Sequence, residues 1–342
     1  DENDLDGLVT FDMGGTSSDV SLVRDGDAER TTDTQIDGIP VRTPMVDIHT
    51  IGSGGGSIAC VDAGGALRVG PESAGSEPGP ACYGRGGERA TITDANVVLG
   101  YIGDSTALGG ELDLDVEATD DALAALADEV GLDSALDAAH GVYRVANAKM
   151  TRAIREVTVE RGFDPRQYGL VAFGGAGPMH AAELAADLDI GSVIVPMAGG
   201  VLSAYGLLDA DEQYDAVRTH LTLLADAKPA TVDDALDELT AEVLADVDTP
   251  ADATVETVAD LRYEGQSFEL SVPIDEDFDA AALREQFHAA HERAYGYSID
   301  EAIELVNLRA TARVERGIAE TAYDAAGEAR LGTRESYFGG DA

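Results

Sequence analysis

The sequence predicts an α/β fold with a mixed sheet, followed by a smaller α+β domain. Three observations predict it. Apolar residues flanking a Gly-Gly turn read as an antiparallel hairpin over residues 8–23. An apolar run, a glycine loop, a helical stretch and a second apolar run over 169–196 read as a β-turn-α-β unit. Near Asp209 the character changes, and Ala/Asp/Glu-rich helical stretches alternate with strands from there on. The expected domains are 1–208 and 209–330, with 331–342 as a tail that reads as truncated.

Element by element, Leu8 to Asp12 is a strand, Met13-Gly14-Gly15-Thr16 a tight turn, and Asp19 to Val23 the return before the turn at Asp25-Gly26-Asp27. A second hairpin spans Ile58 to Asp62 and Leu67 to Val69 around Gly64-Gly65. From Pro71 to Gly87, Gly and Pro fill nearly half the positions, and so long a loop inside a domain is usually functional. Asp120 to Val130 repeats Ala and Leu at helical spacing, with Gly131 as the stop. Ala138 to Arg161 is a longer helix with Val142, Val145, Ala146, Met150, Ala153, Ile154 and Val157 on one stripe. Its other face carries Arg144, Lys149, Arg152, Arg155 and Arg161, which read either as local ion pairs with Glu156 and Glu160 or as a face turned toward an anion. The strand Gly169 to Phe173, the loop Gly174 to Pro178, the helix Met179 to Leu188 and the strand Ser192 to Pro196 follow. In the second domain, helices fall near 230–247 and 279–294, and strands at Thr257 to Tyr263, Ser267 to Val272 and Ile303 to Val314.

The 342 residues include 66 Asp+Glu against 22 Lys+Arg, a formal charge of −44. Charge of that sign repels phosphate backbones and anionic lipid, which argues against nucleic acid or membrane partners. No apolar run approaches the roughly 18 residues of a membrane span, and Asp1-Glu2-Asn3-Asp4 is not a secretory leader, so a cytoplasmic location is expected. Lysine occurs only at Lys149 and Lys228. A surface this acidic repels itself at low ionic strength, and at about 1 M salt, where the Debye length is about 3 Å, that repulsion is screened. A halophilic, salt-filled cytoplasm is therefore expected. Cys60 and Cys82 form no C-x-x-C pair, and neither a disulfide framework nor a thiol zinc site follows from them.

Glycine loops most often serve phosphate, so each is tested against a known geometry. Walker A needs Gly-Lys-Ser/Thr, and neither lysine sits in that context. Gly54-Gly55-Gly56-Ser57-Ile58-Ala59 fits G-x-G-x-x-A, yet a strand follows instead of a helix; the 174–178 loop precedes a helix but lacks the third glycine. Both facts argue against a Rossmann domain. The Asp12-x-Gly14-Gly15-Thr16 loop can aim several backbone N–H groups at one anion, with hydroxyls from Thr16 and Ser17, and Asp12 can hold hydrated Mg²⁺ through water. Paired with the loop Gly174, Gly175, Ala176 and Gly177, one bend takes phosphates while the other lies against a base or ribose. His49, before the triple glycine, is read as a substrate-side or positioning group. Gly54, Gly55, Gly56 and Asp94 are candidates for the substrate side, although Asp94 and Asn96 also suit a helix start. His180 is read as packed or solvated, with a nucleotide contact as the lesser alternative, and no spacing joins Cys82 to His49.

Several ordered blocks resemble the hydantoinase A/5-oxoprolinase family: Phe11-Asp12-Met13-Gly14-Gly15-Thr16-Ser17-Ser18-Asp19-Val20, the segment His49 to Ile58, Gly79 to Gly87, Thr93-Asp94-Ala95-Asn96, Phe173 to His180, Val201-Leu202-Ser203-Ala204-Tyr205-Gly206 and Arg262 to Gln266. The resemblance implies an ATPase lobe like those of actin and sugar kinases, with ATP and Mg²⁺ as cofactors. The Asp12–Thr16 loop then resembles a second phosphate motif and Gly174–Gly177 an adenosine motif, with Asp12 and His49 as the catalytic candidates. It implies ATP-driven opening of small cyclic amides such as hydantoins or 5-oxoproline, with carboxylation of ketones or plain nucleotide binding as alternatives. It also implies a B-type subunit or domain as partner, an oligomer, and a preceding lobe with its own Asp-x-Gly-Gly-Thr loop. That pattern occurs here only at Asp12, so the chain reads as a fragment, inactive in ATP hydrolysis by itself.

Overall fold

Strict alternation of core and half-exposed residues along the first strand sets the frame of the protein, seen in a computed structural model that describes residues 5–31, 34–36, 39–41, 45–103, 113–274, 277–315 and 333–339. The opening residues 1–4 and most of the segment beyond 315 lie outside the described residues. The chain divides into two units, Asp1–Tyr205 with Ala325–Ala342, and Gly206–Asp324.

In the first unit, β1 (Gly7–Met13) and β2 (Ser18–Arg24) form the expected antiparallel hairpin, with Asp12 opposite Asp19. β3 (Asp27–Ala28) continues from the end of β2. Two short ribbons, β4 (Arg30–Thr31) with β7 (Met45–Val46) and β5 (Thr34–Ile36) with β6 (Ile39–Val41), lead to β8 (His49–Ile51), which pairs with the start of β2. β9 (Ser57–Val61) and β10 (Leu67–Ser73) make the second hairpin. Then come α1 (Ile92–Val98), α2 (Val116–Val130), α3 (Ala135–Val157), β11 (Tyr168–Phe173), α4 (Gly177–Asp187), β12 (Ser192–Ile194) and α5 (Leu202–Asp209).

The main sheet has the order β12-β11-β1-β2-β3, with β8 also on β2. β11 is parallel to β1 and to β12, while the remaining pairs are antiparallel, so the sheet is mixed. Because the side-chain period of a strand is two, Val9, Phe11 and Met13 share one face with Val20 and Leu22 of β2 and with Leu170 and Ala172 of β11. All are buried in one core with α3 and α4. The opposite face presents Thr10, Asp12, Asp19, Val171 and Phe173, all half-buried.

α2 is capped by Asp115 and stops at Gly131, in the left-handed conformation at φ 78°. α3 buries its predicted stripe, except that Val145 is only partly covered, and it ends at Val157 rather than Arg161. There the Thr158 hydroxyl bonds the Ile154 carbonyl and the chain tightens into a 3-10 turn over Val159–Arg161. The basic face of α3 does not converge on one point. Lys149 donates to the Val69 carbonyl and Arg161 pairs with Asp47, while Arg144, Arg152 and Arg155 are exposed. The segment 333–339 packs on the first unit: Tyr337 N–H donates to Leu99 O (2.9 Å) and the Tyr101 hydroxyl to Tyr337 O (2.8 Å).

Among the described residues, the second unit is an antiparallel sheet of order β13-β16-β14-β15 packed with α-helices, an α+β arrangement. Its elements are β13 (Glu212–Leu223), α6 (Pro229–Ala245), β14 (Thr254–Tyr263), β15 (Leu270–Pro273), α7 (Ala280–Tyr295) and β16 (Ile303–Val314). The sequence offers no clear signal for β13, because Ala216 is its single fully buried residue. Val232, Leu239, Leu261, Phe287, Leu305 and Leu308 lie at the centre of this unit's core.

Candidate functional site

Loops that leave the same ends of adjacent parallel strands emerge side by side. Here Asp12 of β1 is in register with Phe173 of β11, so the bends after Met13 and after Phe173 open at one edge of the sheet. The Gly14 amide donates to Ser17 O (3.0 Å) and closes the first bend, leaving Gly14, Gly15 and Thr16 exposed at its tip. The second bend meets it through main chain, with Ala176 N–H donating to Met13 O (2.9 Å). Gly174 stands at the seam with φ 81°, and a Cβ there would lie 2.3 Å from Asp12 Oδ1, so no side chain fits. Its amide donates to Gly199 O (2.9 Å), and the Ser203 hydroxyl donates to Asp12 Oδ2 (2.7 Å). The two bends, the Gly199 turn and the Ser203 helix thus meet at one seam, where the Asp12 carboxylate is half-buried. Among the described residues, the amides of Gly15, Thr16 and Gly175 make no bond to an acceptor, and all three residues are exposed. Free main-chain donors beside a hydroxyl-rich turn are the kind of arrangement that can bind an anion.

Gly54, Gly55 and Gly56 are brought to the same place, but behind it. They are buried; the Gly55 amide donates to Gly14 O (2.9 Å) and the Gly56 amide to Gly15 O (2.6 Å). A Cβ on Gly54 would lie 2.5 Å from the Thr16 nitrogen, so the triple glycine exists to let two backbones touch. These residues support the first bend rather than face a substrate. Asp94 is likewise a brace. It closes a capping box with Thr91 at the start of α1, and its fully buried carboxylate also accepts from the amides of Ala81 (3.2 Å) and Cys82 (2.8 Å). With both oxygens engaged, Asp94 anchors the Gly/Pro-rich loop instead of facing a ligand.

His49 is not assembled with Asp12. It is in register with Val20, which faces Phe11, and the pleat therefore sends it to the α3 side of the sheet, where Nε2 meets Glu156 Oε2 at 3.1 Å. Asp12 shares the opposite face with Asp19, whose Oδ1 accepts from the Thr50 hydroxyl. Cys82 is buried beside Asp94, and burial first, then that carboxylate, push its thiol far above the ordinary range, which leaves no nucleophile to pair with His49. His180 is fully buried, and burial lowers its pKa to about 3. Ser203 is the site residue that residue-by-residue reading missed, although it lies within a block already noted for its resemblance.

Among the described residues, no cluster of three or more His, Cys, Asp or Glu side chains could cage a metal. Asp12 by itself fits hydrated Mg²⁺, which keeps most of its waters and takes one or two carboxylates together with phosphate oxygens. A cavity of about 460 Å³ opens at the other end of the same strands, lined by Leu5, Arg24, Phe163 and Tyr168 among others. Arg24 there is occupied by Glu29 and stacked over Phe163 at 4.6 Å. No helix among the described residues is long and apolar enough to cross a membrane.

The hydantoinase/oxoprolinase family model matches residues 1–216. The caprolactamase alpha subunit of Pseudomonas jessenii is 38% identical over 327 residues, covering 91% of this chain and 47% of that protein. The crystal structure of that ATP-dependent caprolactamase superposes with a TM-score of 0.70. 5-Oxoprolinase 1 of Arabidopsis thaliana is 37% identical over 316 residues, covering 85% of this chain and 25% of the other. Nucleotide-free acetone carboxylase, an enzyme of ATP-dependent acetone carboxylation, superposes with a TM-score of 0.78 at 28% identity, over 91% of this chain and 47% of that one. The chain spans about half the length of the caprolactamase subunit that it matches.

Proposed function

Because the chain belongs to the hydantoinase/oxoprolinase family, we propose that it is the nucleotide-gripping part of an ATP-dependent enzyme that opens small cyclic amides. The observation that carries the reading is the main-chain contact of the two glycine bends across Gly174, with Asp12 at the seam. In this reading the lobe is of the actin and sugar-kinase type. The free amides of Gly15 and Thr16, with the Thr16 and Ser17 hydroxyls, hold phosphate oxygens without any cationic side chain, and the Gly174–Gly177 bend lies against base or ribose. Asp12 orients the water shell of Mg²⁺, and Ser203 fixes the rotamer of that carboxylate. ATP supplies a phosphoryl group to the amide oxygen. Water then adds to the activated carbon, the ring nitrogen leaves as the amine, and a second water releases phosphate from the acyl phosphate left behind. A further lobe and a B-type partner complete the site, consistent with relatives about twice as long.

The test uses the chain joined to the further lobe and reconstituted with its B-type partner. ADP release stimulated by caprolactam, hydantoin or 5-oxoproline, and reduced about 100-fold or more by Asp12→Ala, is the expected result. Stimulation by a ketone with bicarbonate instead would favour a carboxylase, the second reading, which the superposition on acetone carboxylase supports. Nucleotide binding with no stimulation by any of these substrates would reduce the chain to a binding module.

A further inference from the structure

α1 bridges the supports of the two glycine bends. At its start, Thr93 N–H donates to Gly55 O (2.8 Å), and the Gly55 amide in turn holds Gly14 O (2.9 Å). One turn later the fully buried Asn96 places Nδ2 at 3.3 Å from Nε2 of His180, in the first turn of α4, the helix that leaves the second bend. The other ring nitrogen, Nδ1, lies 2.7 Å from Oδ1 of Asn147 on α3. The ring stacks on Tyr143 with centroids 4.9 Å apart, and the Tyr143 hydroxyl donates to Met179 O (3.1 Å). With Asn147 Oδ1 accepting, Nδ1 carries the proton and Nε2 accepts from Asn96, so this arrangement is that of a neutral imidazole.

As a stabilising core this cluster is poorly made. Asn96 Oδ1 is buried without a partner among the described residues, and such an atom costs stability. Apolar side chains in place of Asn96, His180 and Asn147 together would fill the same space with no polar group left wanting, whereas replacing His180 alone strands Asn96 Nδ2 and Asn147 Oδ1. Polar groups that break the packing rules are expected where function needs a fixed geometry.

The geometry points to a role in positioning: the Asn96–His180–Asn147 chain sets the spacing between the Gly14–Thr16 bend and the Gly174–Ala176 bend, and so governs nucleotide affinity. His180 touches no reacting atom and acts through the first turn of α4. This inference rests on the nucleotide reading above.

His180→Leu, Asn96→Ala and the double variant are compared with the unaltered chain in two measurements. One is titration with a methylanthraniloyl-ATP probe; the other is hydrogen exchange of the 174–179 amides without nucleotide. Each single change is expected to raise the Kd roughly ten-fold, about the worth of one buried hydrogen bond. The double variant is expected to do no more than either single, because both changes cut one chain. Faster exchange at 174–179, with exchange in the second unit unchanged, is expected in all three. Unchanged affinity together with unchanged exchange overturns the proposal, whatever happens to the unfolding midpoint. If the unaltered chain binds no probe, the nucleotide reading falls with the affinity claim, and unchanged exchange in Asn96→Ala would overturn the positioning as well. Should His180→Leu fail to fold, Asn96→Ala, which keeps the bond to Asn147, decides alone.

Discussion

His180 and Gly174 each take a measurable penalty for their place beside the site. The pKa of His180 falls from 6.5 to about 3 on folding because burial disfavours the cation, so the unfolded chain binds the proton more readily than the native one. Its contribution is therefore complete above pH 6.5 and is lost on acidification toward pH 3, at about 1.4 kcal/mol per pH unit. Urea midpoints of the unaltered chain and His180→Leu, measured from pH 7 to pH 4, should converge or cross as the pH falls. Gly174→Ala places a methyl 2.3 Å from Asp12 Oδ1 at φ 81°, and should cost about 1–3 kcal/mol while forcing the two bends apart. Thermal melts and nucleotide titration of that variant check both effects. At this scale the sequence was legible where a residue type has one physical reason to be present. Paired glycines at Gly14-Gly15 and Gly174-Gly175 announce bends, and an Asp at a strand end announces a carboxylate at the rim. It was not legible for His49, whose face depends on which strand β8 joins and in what register. The triple glycine signalled a close backbone approach without saying to what.

Among the elements, α1 does more than its seven residues suggest, since Asp94 joins its N-terminus to the Gly/Pro-rich loop. Asp94→Ala removes acceptors from the Ala81, Cys82 and Thr91 amides and from the Thr91 hydroxyl, all buried, and should cost about 3 kcal/mol or more. Asp115→Ala, which removes an exposed cap from α2, should cost only about 1 kcal/mol. Denaturant unfolding of the two variants side by side tests the difference. Strands with apolar alternation and helices with caps could be read from the sequence at this level. β13 could not, because its partners in the sheet and not its own side chains make it a strand, and α3 ends four residues early because Thr158 turns back on Ile154.

For the molecule as a whole, the formal charge of −44 dominates solution behaviour. Its unfolding midpoint should rise by several degrees between about 0.1 and 2 M KCl, as screening removes self-repulsion, and sucrose at matched osmolarity should not reproduce the full rise. The compositional change near Asp209 is visible in the sequence, whereas the adjacency of β1 and β11 is not, since no local pattern says which distant strand a strand will join. That adjacency also fixes an order of events in time. While the ribosome is still making α1 to α3, β1 has only β2 beside it, and the sheet of β1, β2, β3 and β8 ends in an unpaired β1 edge. The main-chain edge of β1 then waits unpaired on the nascent chain until Tyr168–Phe173 emerges. The rim that holds Asp12 therefore closes only once Tyr168–Phe173 has been made, and the nascent stretch before Tyr168 is where chaperone capture should concentrate.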